Sequence, residues 1–420
     1  MTNEVLQKTA SDEQNVSSSN GLEPRLRFPS FDNKWTLTTI GNVCAFTNGK
    51  AHEQNVVEYG EYIIVNSKFI SSDGVVKKYS NKQICPLFKN DIVMVMSDVP
   101  NGKAMSKCFC IDKDNKYTLN QRICALRTKQ IPLYYMMQIN RNDYFMKFDD
   151  GVKQTNLRKD DVLACPVYST TIKEQTKIAD FLSLIDQRIE KQRRLVESLK
   201  KYKRGLLSAI FDHKLRFKDE NGNDYPEWDN FVLDNLGSFY NGLSGKNKDD
   251  FGTGNSEYIT YMNVFKNTIA NETICERVNI LPNEHQNIVN FGDLLFTQSS
   301  ETMEEVGFCS VWNSHKKVFL NSFCFGLHFN NSKFAYPQFM AHYMRSYKIR
   351  LLIMRESQGA TRINLSSERL KKIELSLPPY KEQKIIAHFI ERYDNTIQNE
   401  EKKLEMFNNL KQGLLQQMFI

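Results

Sequence analysis

The sequence predicts an α+β chain in which two mixed α/β modules alternate with two long helices that pair with each other. Three observations carry that expectation: a near-copy of one helical segment farther along the chain, a heptad seam in both copies, and strand-sized apolar runs in the intervals between them. Residues 173–211 match residues 381–419 at a constant offset of 208 without a gap. Of the 39 aligned pairs 14 are identical, among them Lys173/Lys381, Glu174/Glu382, Gln175/Gln383, Asp186/Asp394, Gly205/Gly413 and Leu206/Leu414. The same offset joins Gly151/Gly359, Asn156/Asn364 and Leu157/Leu365. Farther upstream the likeness is looser: EYIIVN (61–66) with EYITYM (257–262), DIVMVMS (91–97) with DLLFTQS (293–299), TLN (118–120) with FLN (319–321), and LRFPSFDNKW (26–35) with LRFKDENGNDYPEW (215–228). Helices that stay alike while the modules diverge describe a fixed frame carrying two different readers.

Taken in chain order, residues 1–21 are polar and serine-rich and are expected to form a disordered tail. The first module, 22–172, has strand-like runs at 62–65, 91–96 and 117–126, an amphipathic helix after Pro132, and the glycine-led polar loop GVKQTNL (151–157). The first long helix, 173–216, places Leu182, Ile185, Ile189, Val196, Leu199 and Leu206 at alternating three- and four-residue spacings, a heptad seam. The second module, 217–380, repeats the plan with runs at 258–261, 293–297 and 318–327, a helix after Pro337 and the loop GATRINL (359–365). The second long helix, 381–420, carries the equivalent seam Ile390, Tyr393, Ile397, Leu404, Phe407 and Leu414. Each seam has one polar interruption at the same place, Gln192 and Glu400, the kind of residue that fixes register and partner. Because the seam recurs at one offset, the two helices read as a mutual pair.

Composition narrows the class. The 420 residues are 40% hydrophobic and 25% charged, close to the globular average, and no apolar run approaches the roughly 20 residues of a membrane span. Without a signal-peptide pattern at its start, the chain is expected to be cytoplasmic, with no membrane partner. Its nine scattered cysteines are then buried or half-buried free thiols, and the one close pair, Cys108 and Cys110, has the wrong spacing for zinc. The net charge of +7 lies in the first half, including the run Arg188, Lys191, Arg193, Arg194, Lys200, Lys201, Lys203 and Arg204. Residues 217–380 are acidic overall, so a nucleic-acid contact there needs a local cluster, for which Arg345, Lys348, Arg350, Arg355, Arg362, Arg369, Lys371 and Lys372 are the candidates.

Motifs for chemistry are missing. GLSGKN (242–247) has neither the Walker spacing nor its Ser/Thr and reads as a surface turn. Pro378-Pro379-Tyr380 resembles part of an amino-methyltransferase signature, but Leu377 stands where a polar residue would grip the base, and the prolines serve to stop one element before the next helix. The seven histidines form no metal or catalytic pattern. No catalytic residue, metal or cofactor is therefore expected, which favours a binding protein.

Two variable modules, each ended by a Gly-x-x-x-x-Asn-Leu loop and a Glu-Gln entry into a long helix ending in Gly-Leu-Leu, resemble the specificity subunit of type I restriction-modification systems. The resemblance runs from about residue 22 to the end; the first copy reads ACPVYSTTIKEQ where the second reads ELSLPPYKEQ, displacing the proline entry to Pro166. It implies two target-recognition domains held about a pseudo-twofold axis by helices packed as an antiparallel coiled coil. It also implies a non-catalytic reader of double-stranded DNA that binds two modification (methyltransferase) subunits and restriction (motor and nuclease) subunits. The methyl donor, ATP and magnesium would belong to those partners. A stand-alone restriction or modification enzyme and a coiled-coil scaffold are the alternative readings.

Lys153, Gln154, Thr155 and Asn156 in the first loop, and Thr361, Arg362 and Asn364 in the second, are the candidate DNA contacts. Gln and Asn can bond adenine edges in a bidentate manner, and Arg can do so with guanine or pair with phosphate. The competing reading is a helix cap and turn whose side chains meet only water.

Overall fold

In the computed structural model, residues 23–98, 104–140, 143–148, 155–331 and 333–420 are described. The chain divides into two compact units: the first holds residues up to Arg193 together with Lys403–Ile420, the second Arg194–Lys402. Both long helices are therefore shared between units. The first runs Ile172–Phe211 and the second Tyr380–Met418. The first helix stops at Phe211 rather than at 216, and the chain turns away at His213, whose φ is 60°.

Within the first unit the main sheet has the order Cys44–Asn48, Ile123–Thr128, Ile92–Val95, Cys108–Cys110, all antiparallel. The second unit repeats it with Gly237–Asn241, Cys324–Phe329, Leu294–Thr297 and Cys309–Val311. A side sheet accompanies each, joined through a parallel pairing: Tyr62–Val65 with Tyr117–Leu119, and Phe251–Ile259 with Phe319–Leu320. Each module is closed by a pairing of its first and last strands, Thr36–Thr39 with Pro166–Ser169 and Asp229–Val232 with Glu374–Leu377. This closure brings the entry and exit of each module to the start of its long helix.

The runs read as single strands at 117–126 and 318–327 are each broken in two. A turn at Asn120–Arg122 separates Tyr117–Leu119 from Ile123–Thr128, and one at Asn321–Phe323 separates Phe319–Leu320 from Cys324–Phe329. Gly49 and Gly242 are the reason the turn fits: a Cβ on either would lie 1.8 Å from Asn120 O or 2.1 Å from Asn321 O. The single helix expected after Pro337 is likewise two, Pro337–Met344 and Tyr347–Glu356, whereas the first module has the short Pro132–Asn140.

The repeated motifs explain the packing. The Glu of each KEQ is buried and bonded to the Arg of an LRF: Arg27 Nε to Glu174 Oε1 at 2.7 Å, and Arg216 Nη2 to Glu382 Oε2 at 2.8 Å. The Gln that follows accepts from the backbone of the module, Tyr336 N to Gln383 Oε1 at 2.7 Å, and donates to Phe334 O and Pro378 O. The Phe that ends each repeat is a core residue. Phe211 packs on Phe339 and Tyr343 in the second unit, and Phe419 on Trp35 and Tyr134 in the first.

The helices meet inside each unit. In the second, Lys203 pairs with Asp394, and Lys200 Nζ lies 2.6 Å from Glu401 Oε1. In the first, Lys411 Nζ lies 2.5 Å from Asp186 Oδ1 and the Arg188 guanidinium sits over Phe407. Lys203 and Lys411 are repeat equivalents, as are Asp394 and Asp186, so one ion pair is written twice. Part of the basic run on the first helix is thus committed to its neighbour. Leu182, Ile189, Val196, Ile390 and Ile397 of the seams are buried, and Ile185, Leu199, Leu206, Tyr393, Leu404, Phe407 and Leu414 are half-buried. Among the described residues no helix is long and apolar enough to cross a membrane. All nine cysteines are free and buried or half-buried.

Candidate nucleic-acid interface

Each polar loop is tied to its module by the same short ladder. In the first unit Thr155–Asn156 pairs with Ser97–Asp98, Leu157 N donates to Met96 O at 2.8 Å, and Met96 N donates to Arg122 O at 3.0 Å. In the second, Ile363–Asn364 pairs with Ser299–Ser300, Leu365 N donates to Gln298 O at 2.8 Å, and Gln298 N donates to Phe323 O at 2.8 Å. The end of the loop, the strand end and the broken-strand turn are therefore joined in one backbone frame in both units. The side chains on that frame differ: Met96 stands where the second unit has Gln298, and Arg122 where it has Phe323.

Grooves open at both places. The first, about 380 Å³, is lined by Asn48, Met96, Gln121, Arg122 and Asn156 among others. The second, about 370 Å³, is lined by Tyr261, Phe265, Glu301, Phe323 and Arg362 among others. Tyr261 and Phe265 stack with centroids 6.0 Å apart, and the Tyr261 hydroxyl donates to Ser299 O. Phe323 is 56% exposed, unusual for a phenylalanine with no packing duty and suited to an apolar contact with a base or sugar.

Of the residues expected from sequence, Asn156, Thr361, Arg362 and Asn364 are exposed on these loops. Thr155 is placed by its backbone in the strand pair, while Lys153 and Gln154 lie outside the described residues. Asn156 and Arg362 line the two grooves; Asn364 Nδ2 is turned back onto Arg362 O at 3.2 Å and Thr361 is not among the groove residues. Gly359, at φ 133°, lets the second loop double back, since a Cβ there would lie 2.0 Å from Arg362 O. Gln121, Arg122, Phe323, Tyr261 and Glu301, which line the grooves, are not among the candidates the sequence offers. The signal was present in the aligned TLN and FLN segments, whose following residues are the ones that differ.

The basic cluster of the second module is not one surface. Arg345 is directed inward, donating to the backbone carbonyls of Cys309, Val264, Phe265 and Asn267, and Arg350 to those of Gly307, Glu304 and Val306. Both guanidinium groups also lie over the Phe308 ring, and burial pushes both pKa values down to about 10. These two arginines stitch loops together, correcting their place among the candidate nucleic-acid contacts. Arg369 donates to Glu356 O and Lys371 pairs with Glu368. Lys348, Arg355, Arg362 and Lys372 are exposed.

Comparison with known proteins agrees with this architecture. Residues 32–200 and 225–408 each match the family described as type I restriction modification DNA specificity domain. The specificity subunit of the type I restriction enzyme MjaVIII of Methanocaldococcus jannaschii is 22% identical, over 96% of this chain and 94% of its own length. Among solved structures, the S subunit of a type I restriction-modification system from M. genitalium superposes with a TM-score of 0.55 at 17% identity, covering 95% of this chain and 99% of that one. A chain from a study of assembly and conformational transition in the type I system gives 0.57 at 15% identity, covering 92% and 97%. With two copies of the family's domain spanning most of its length, the chain belongs to the type I restriction-modification DNA specificity family and is a specificity subunit with two recognition domains.

Proposed function

We propose that the two recognition domains, residues 22–172 and 217–380, each read one half of a bipartite, asymmetric double-stranded DNA target. The observation that carries this reading is the duplicated backbone frame bearing unlike side chains: the frame fixes position, and the variable groups supply sequence. Lys153, Gln154, Thr155 and Asn156, joined by Gln121 and Arg122, address one half-site. Thr361, Arg362 and Asn364, joined by Phe323 and Glu301, address the other. The long helices form an antiparallel coiled coil, a reading supported by the reciprocal Lys203–Asp394 and Lys411–Asp186 pairs and the burial along both seams. Catalysis resides in two modification subunits, which methylate adenine, and in restriction subunits that translocate and cleave. Exposed apolar side chains on the helices, such as Leu184, Met406 and Leu410, suit them to hold protein partners.

Exchanging residues 22–172 for the equivalent module of a relative is expected to change one half of the methylated target and leave the other intact. Methylome sequencing of cells carrying the chimera with its modification subunits reads this directly, and a change in both halves would remove the two-reader assignment.

Replacing Arg362 with Ala is expected to cost roughly 1–3 kcal/mol of DNA affinity and to relax only the second half-site, if the guanidinium reads a base. A phosphate contact would instead weaken all sequences alike and flatten the salt slope by about one. Affinities for single-base variants at two salt concentrations separate the two, and wild-type values in both would take Arg362 off the DNA surface.

A further inference from the structure

The second unit contains a cavity of about 680 Å³ that shares no lining residue with the groove at Arg362. It lies between the end of the first long helix and the start of the helix Tyr347–Glu356. Phe211, Leu207 and Leu351 give it an apolar wall. The lining also carries Lys203, Arg204, Arg345, Lys348 and Arg350 with two carboxylates, Asp212 and Glu304; of the cations, Lys203 is already paired with Asp394. Of those carboxylates Asp212 is already bonded to Ser208 and Lys214. Arg345 and Arg350 spend their hydrogen bonds on backbone carbonyls, which leaves their charge without a carboxylate partner among the described residues.

Two buried polar atoms on the lining are orphaned. His342 is 7% exposed, and its Nε2 has no hydrogen-bond partner among the described residues; the same holds for Ser346 Oγ. Ser346 is also the N-cap of Tyr347–Glu356 and makes no capping hydrogen bond, so the positive end of a ten-residue helix faces this region without its usual acceptor. Orphaned buried groups cost stability unless a partner arrives. A helix N-terminus, unopposed arginines and a free hydroxyl call for the same partner, an oxyanion. Burial, with Lys203 and Arg345 adding to it, holds the His342 pKa down at about 3, so the ring is neutral and offers a hydrogen bond rather than charge.

We propose that this cavity binds a small aromatic oxyanion, a phosphate or carboxylate on a flat apolar body. The oxyanion sits at Ser346 and the helix N-terminus, next to Arg345, with Lys348 at the mouth. The ring lies against Phe211 and Leu207, and His342 Nε2 takes a polar atom of the ligand.

Isothermal titration of the intact chain with phenyl phosphate and with phenylacetate tests this and separates the two anion types. At least one is expected to bind about tenfold or more tighter than inorganic phosphate or phenol, since each control lacks one half of the recognition. Lys348→Glu, at an exposed position, is expected to weaken the bound probe by about tenfold or more, and Ser346→Ala by a smaller factor, both with unchanged melting temperature. His342→Phe is expected to abolish binding; if that variant fails to fold, the Lys348 and Ser346 variants decide alone. Wild-type affinity in Lys348→Glu, equal affinity for phenol and phenyl phosphate, or no binding of either probe overturns the assignment. So does displacement of the probe by a DNA duplex, which would make these cations part of the DNA surface.

Discussion

Replacing Arg216 with Ala is expected to cost the second unit about 3–5 kcal/mol, because it leaves the carboxylate of Glu382 buried without its ion partner. Glu382 is 1% exposed, and Arg216 also holds Tyr225 O and Pro226 O, so the guanidinium ties the entry of the module to the start of the second long helix. Urea denaturation of the variant reads the loss. Replacing both partners by apolar residues of similar volume should restore much of it, since a buried pair is worth little more than a packed hydrophobic contact. A loss in Arg216→Ala below about 1 kcal/mol would mean that water reaches the carboxylate. The equivalent Arg27→Ala is expected to cost less, because Glu174 keeps hydrogen bonds from Thr170 and Trp35. Burial by itself pushes the Glu174 carboxyl up, but those bonds and the one from Arg27 outweigh it, so its pKa lies below the ordinary value. A carboxyl with a depressed folded pKa contributes stability that is present above its unfolded pKa and lost as pH falls through the folded one. Acid unfolding of the first unit is therefore expected to begin at higher pH in Arg27→Ala than in the wild type.

How much of this was legible before the structure depends on where the information lay. The offset of 208 marked Lys173/Lys381 through Phe211/Phe419 as equivalent, and burial of the seams follows from their period alone. The identities themselves have causes that a period cannot express. Asp186 and Asp394 recur because each faces the Lys of the other copy, and LRF and KEQ recur because Arg27–Glu174 and Arg216–Glu382 are one buried pair made twice. Those contacts join residues more than 140 positions apart, beyond any local rule. The two polar loops could be singled out as candidates because they too sit at the constant offset. The groove residues Gln121 and Arg122 could not be singled out because β-rich residues on both sides of Asn120 hide a turn whose mark is the distant Gly49. Arg345 and Arg350 misled for the opposite reason: a charge on an amphipathic helix is usually solvated, and here seven backbone carbonyls outbid water for the two guanidinium groups.

Phe419→Ala is expected to destabilise the first unit by about 3–5 kcal/mol, the usual cost of emptying a fully buried phenylalanine site. Phe419 is 2% exposed and meets Trp35 edge-on at a centroid distance of 6.2 Å and Tyr134 at a tilt at 5.4 Å, so the surrounding rings are too large to collapse into the space left behind. Phe211, also 2% exposed, does the same in the second unit against Tyr343 at 5.3 Å and Phe339 at 6.0 Å. Phe211 ends the first long helix and belongs to the core of the module that follows it, whereas Phe419 directly follows the second long helix and belongs to the core of the first module. The two substitutions should consequently act on different tryptophans. Trp35 reports the first unit, and Trp228, packed on Phe339 and Tyr343, reports the second. In variants that keep only Trp35 or only Trp228 of the chain's three tryptophans, Phe419→Ala is expected to lower the urea midpoint seen by Trp35 more than that seen by Trp228, and Phe211→Ala to reverse the order. Equal shifts at both tryptophans in both variants would show that the chain unfolds as one cooperative body, in which case damage to one reader's core would cost the other half of the DNA target as well.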